Sequence, residues 1–168
     1  MEIRKPIVDG EFTSLDDIKN KRSIFLAGPC PRDDWEHDWR FKAFKILEEL
    51  GFDGVVITPT NPDYQNYREY NKDALRKQTE WEYKAMHDAQ YVVFWIARDF
   101  AIGHPGFTTN IEFGEWFKEE NAIIGFPFDA PKNDYIKIRC DMIDKKVFYD
   151  LKEMLTDTVN RINTFKTR

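Results

Sequence analysis

The sequence predicts an α/β fold: a three-layer sandwich built on a parallel five-stranded sheet with helices on both faces. Three observations carry this. Short apolar runs alternate with longer amphipathic stretches. The runs are continuously apolar, as strands covered on both faces are. The stretches between them repeat at helical spacing, and strand–helix alternation places parallel strands side by side through right-handed crossovers.

The first run, Ser23–Ala27, closes on Gly28-Pro29. A helix is expected next. Asp33 and Glu36 have the spacing of a capping pair, Trp39, Ala43, Leu47 and Leu50 share one side, and Gly51 supplies the stop. The second run, Gly54–Ile57, closes on Thr58-Pro59. A helix is then expected over Asn71–Ala89, with Leu75, Met86 and Ala89 facing the sheet. Tyr91–Ala97 is the strongest run. A further helix is expected from Thr109 to Glu120, followed by a strand at Ala122–Phe126. Beyond Pro131 the pattern offers a short strand at Lys146–Tyr149 and a helix marked by Leu151, Leu155, Val159 and Ile162. Residues 1–20 read as an N-terminal extension with a turn at Asp9-Gly10, and 145–168 as the closing strand and helix of one domain over 1–168.

Composition bounds the function. Against 25 Lys and Arg stand 30 Asp and Glu, a net charge of −5, which argues against a duplex nucleic-acid binder. No apolar run approaches the roughly 20 residues of a membrane span, and the start has no apolar signal core, so the cytoplasm is the expected setting. Cys30 and Cys140 form no CxxC pair, and His37, His87 and His104 have no metal-ligand spacing, so neither metal nor cofactor is expected. The chain lacks GxGxxG, P-loop and GxSxG motifs.

Ligands of such folds lie beyond the C-terminal strand ends, which selects 28–35, 58–70, 98–110 and 127–134. Glu112 opens the helix after the third of these segments. It reads either as a carboxylate nucleophile or as the glutamate of a Thr109-x-x-Glu112 capping box. Glu82 falls on or beside a buried stripe, as an acid/base group or as a partner of Arg76 or Lys77. Arg98-Asp99 follows the strongest strand, suited to ligand contact or to a solvated ion pair. The aromatic stretch Tyr64–Tyr70 reads as a pocket wall or as a surface loop.

In order along the chain, Ile24–Pro29 (IFLAGP), Trp39-Arg40, Leu47–Val56 (LEELGFDGVV), Trp81-Glu82, Val93–Ile96 with Arg98-Asp99, and above all Pro105–Trp116 (PGFTTNIEFGEW) resemble the nucleoside 2-deoxyribosyltransferase-like family. The resemblance covers roughly residues 23–135. It implies a flavodoxin- or Rossmann-like sheet and N-glycosidic chemistry on a small nucleoside or nucleotide. It implies that Glu112 attacks C1′ of the sugar, that Glu82 contacts the base and passes it a proton, and that Gly28 and Pro29 line the base pocket. Arg98, Asp99, Thr109 and Asn110 are the further substrate contacts, and a homo-oligomer is implied. Two positions depart from the family pattern: Phe25 stands where transferases often carry a tyrosine, and Gly106 where some members carry an acid or serine.

By analogy with retaining glycosidases, Glu112 would form a glycosyl ester that an incoming base or water resolves. Other readings are an NAD-directed glycohydrolase, a non-catalytic nucleotide sensor that kept the pocket, and a receiver-like module. The last requires an Asp at the third strand's end, where Asp99 stands alone and late.

Overall fold

The computed structural model describes residues 1–31, 35–60 and 72–164. The main sheet contains β1 (Glu2–Arg4), β4 (Ser23–Ala27), β5 (Val55–Ile57), β6 (Tyr91–Trp95), β7 (Ala122–Gly125) and β8 (Val147–Phe148). A separate hairpin pairs β2 (Ile7–Val8) with β3 (Glu11–Phe12) across Asp9-Gly10, where φ is +52° and +83°. Strand order in the main sheet is β1-β5-β4-β6-β7-β8, and its five pairings are parallel. The sheet therefore has six strands rather than the expected five. The added strand comes from the N-terminal extension. Glu2, Ile3 and Arg4 carry no apolar run, and β1 joins through backbone pairing of Glu2, Ile3 and Arg4 with Val55, Val56 and Ile57.

Five helices are present among the described residues: α1 (Trp39–Glu49), α2 (Lys72–Asp88), α3 (Phe107–Trp116), α4 (Asp134–Asp141) and α5 (Leu151–Thr164). Successive side chains of each strand enter opposite cores. Ile24 and Leu26 pack with Ala43 and Leu47 of α1 and Leu155 and Val159 of α5. Phe25 and Ala27 pack with Trp81 and Ala85 of α2, Phe113 of α3 and Ile136 of α4. This explains the uninterrupted apolar runs: neither sheet face meets water.

Helix boundaries correct several expectations. The cap of α1 is Asp38, whose carboxylate accepts the Arg40 backbone N–H at 3.1 Å, and a 3-10 turn at Trp35–His37 precedes it. Asp33 lies outside the described residues. Gly51 does stop α1: its φ is +67°, and the next amide, Phe52, donates to Leu47 O at 3.0 Å. In α2 the buried stripe is Ala74, Gln78, Trp81, Ala85 and Met86, whereas Leu75 is exposed. Helix α3 starts two residues before Thr109 and stops four before Glu120. Helix α4 had no clear signature because it is apolar on two sides, with Ile136 and Cys140 buried and Tyr135 and Ile138 exposed.

The chain runs from β4 outward to β5, then returns to place β6 on the other side of β4. The topological switch point thus lies between the C-terminal ends of β4 and β6. There the connections diverge, and ligands of open α/β sheets bind at such a point. Gly28-Pro29 and Arg98-Asp99 are the segments that leave these two strands.

Candidate active site

At the switch point lies a turn that only glycine can begin. Gly28 has φ +151°, and a Cβ there would stand 2.3 Å from Trp95 O and 3.0 Å from the Trp39 ring. The turn's carbonyls are collected from below by Arg40. Its Nε donates to Leu26 O at 3.1 Å, Nη1 to Pro29 O and Asp38 Oδ1, each at 3.1 Å, and Nη2 to Gly28 O at 2.9 Å. The Trp39 indole N–H donates to the same Pro29 carbonyl at 3.2 Å. Pro29 in turn abuts the start of α3: a Cβ on Gly106, where φ is +65°, would lie 2.9 Å from Pro29 Cγ.

Gly106 is the N-cap of α3 and offers no side-chain cap. Thr109 is the third helical residue and Glu112 the sixth, so the capping-box reading of Glu112 fails on geometry. A capping glutamate belongs at the third position. Glu112 is instead half-buried beside the turn. Burial raises its carboxyl to about 7, with the Glu82 charge adding to the rise, Arg40 opposing it and Glu115 making a smaller addition.

Glu82 reaches the same cluster from α2. It is partly buried and accepts a hydrogen bond from Gln78 Nε2, not a salt bridge from Arg76, which pairs with Glu80. Gln78 also donates to Pro59 O at 3.3 Å, so one buried amide ties Glu82 to the chain leaving β5. The Cys30 thiol feels Glu82 and Glu112 as well. Burial, opposed by Arg40, pushes it up to about 11, so it stays protonated at neutral pH.

Glu82, Glu112, Gly28 and Pro29 are therefore brought together. Of the other expected contacts, Arg98, Asp99 and Asn110 bond to one another or to their own loop. Asn110 precedes Glu112 by two residues, about 200° around the helix, and its amide oxygen accepts from Arg98 Nη2. Arg98 is buried, and Asn133, the residue before α4, packs nearby by donating to Ile96 O at 2.9 Å. The Asp99 carboxylate accepts the Ala101 N–H at 2.9 Å, while Asp99 and His104 exchange backbone bonds that close their loop. Thr109 is buried within α3, and its Oγ1 would stand 3.5 Å from a Cβ on Gly106, so it borders the Gly106–Pro29 contact. Tyr64–Tyr70 lies outside the described residues. A cavity of about 830 Å³ opens at the other end of the sheet, beside Tyr91, Ala122 and Arg161, far from these carboxylates in the fold.

Sequence reasoning missed Arg40 and Gln78 as parts of the site. Each was marked by one signal, a polar side chain on the apolar stripe of a helix.

A parallel three-layer sandwich with two carboxylates gathered at its switch point is a Rossmann-like fold. The chain belongs to the nucleoside 2-deoxyribosyltransferase-like family, whose model matches residues 21–130. No curated protein matches it.

Proposed function

We propose that this chain cleaves or transfers the N-glycosidic bond of a nucleoside or nucleotide, with Glu112 as the nucleophile. One observation carries the reading. Glu112 is half-buried at the switch point beside Glu82, and its position in α3 frees it from capping. Family membership supports the substrate class.

A Glu112 carboxylate oxygen bonds to C1′ as the C1′–N bond breaks, and that electron pair stays on the base nitrogen. Glu82 hands a proton to the departing base. A second base nitrogen, or water, then attacks C1′, gives its proton to the Glu82 carboxylate and releases Glu112 as carboxylate. A group ionising near 7 supplies a usable nucleophile at neutral pH, and each half-reaction regenerates the other's protonation state. Self-association belongs to the same reading, and a monomer by light scattering would count against pockets shared between subunits.

The test is chromatographic release of free base from a panel of nucleosides, nucleoside 5′-phosphates and NAD, with and without an acceptor base. Exchange into the acceptor marks a transferase, and release alone a hydrolase. Release from NAD alone would move the assignment to a glycohydrolase of that cofactor. Glu112→Ala is expected to lower release by more than about a hundredfold in a folded protein. Full activity in that variant, or no release from any substrate, would overturn the reading.

A further inference from the structure

Arg40 occupies a position that favours an apolar side chain. It lies in the first turn of α1 on the face that buries Ala43, Ile46 and Leu47, and its side chain is 1% exposed. Taking a permanent cation out of water is costly, and a hydrophobic residue of similar volume often stabilises a fold as well or better. Packing alone therefore gives no reason for a guanidinium here. The turn does. Three of its four acceptors are main-chain carbonyls of Leu26, Gly28 and Pro29, converging on one planar fork, and Asp38 supplies the counter-charge. An ammonium cannot match that fork.

The contact continues. Pro29 packs on Gly106, and Gly106 begins the helix that carries Glu112. The charges that face Glu112 come from each neighbouring element: Glu82 from α2, Glu115 from its own helix and Arg40 from α1. The Cys30 thiol from the turn is a neutral neighbour. Among the described residues, Arg40 is the cation of this group.

We infer that Arg40 is a positioning residue: it fixes the Gly28-Pro29 wall against the helix bearing Glu112. It acts through the turn and through Glu112. The kinetic part of this inference rests on the proposed glycosyl chemistry. The titration part does not.

The test compares Arg40→Met and Arg40→Lys in the full chain, with circular dichroism to verify folding. Glu112 is titrated directly by 13C NMR of glutamate-labelled protein, assigned with Glu112→Gln, and KM and kcat are measured for base release. Arg40→Met is expected to move the Glu112 titration to higher pH by on the order of one unit. Arg40→Lys is expected to leave that titration in place and to raise KM roughly fivefold or more, with kcat changed less, because the charge survives and the fork does not. An unmoved titration in folded Arg40→Met overturns the electrostatic role. An unchanged KM in Arg40→Lys overturns the positioning role, and that arm stands even if Arg40→Met does not fold. Absence of base release by the unaltered protein would defeat the glycosyl reading while leaving the titration comparison intact.

Discussion

In the proposed reaction, Glu112 concentrates the chemistry in one ionisation. Because burial holds its carboxyl at about 7, kcat/KM for base release is expected to fall with unit slope below that pH. Replacing Glu82 by Gln removes both the proposed proton donor and a neighbouring negative charge, so base release should fall and the limb of the remaining activity should move to lower pH. A limb that moves up, or stays, would show that Glu82 does not face the nucleophile. The shift also acts on stability. Between about pH 4.5 and 7 the unfolded chain has released a proton that the folded chain still holds, so stability falls as pH rises through this window. Glu112→Gln is therefore expected to gain about 1–2 kcal/mol at pH 8, after allowance for solvent screening, and almost nothing at pH 4. Urea unfolding at the two pH values measures this directly. A gain in stability paired with a loss of turnover is the signature of a residue kept for chemistry.

At the scale of the element, α3 and the turn after β4 work as one unit joined at Gly106 and Pro29. Gly106→Ala meets a left-handed φ and the Pro29 ring together. It should cost about 1–2 kcal/mol in stability and lower base release further than that loss accounts for, because the helix carrying Glu112 must shift. Thermal melts and initial rates on the same preparation separate the two effects. Much of this unit was legible beforehand. Strands β4 and β6 announced themselves by unbroken apolar runs, and their glycine and arginine exits marked the sheet edge. Where α3 begins was not legible, since Thr109-x-x-Glu112 imitates a capping box and only tertiary packing places the start at Phe107. Gln78 and Arg40 escaped for a related reason. Their partners are backbone carbonyls of segments distant in sequence, and side-chain pattern carries no record of those. The same blindness hid β1, which is held by main-chain pairing to β5.

At the scale of the whole molecule, the N-terminal segment is part of the sheet architecture. Besides pairing β1 with β5, it binds through Arg4, whose guanidinium meets Glu2, Asp17 and the Ser14 carbonyl, and the Trp81 indole donates to Thr13 O at 2.9 Å. Deleting residues 1–5 should lower stability by about 1–2 kcal/mol, a few degrees in melting temperature for a chain of this size. Base release at 25 °C should persist, because the carboxylates belong to α2 and α3. Loss of catalysis with an unchanged melt would instead place the N-terminal strand within the working site. The packing of Trp39 has a further use. Its ring lies against Gly28, its indole N–H holds the Pro29 carbonyl, and the Arg40 guanidinium rests 4.6 Å from its centroid. A base docked on this wall, as the proposed reaction requires, is expected to change the polarity around the Trp39 indole, so its fluorescence should respond to added ligand and Trp39→Phe should diminish that response.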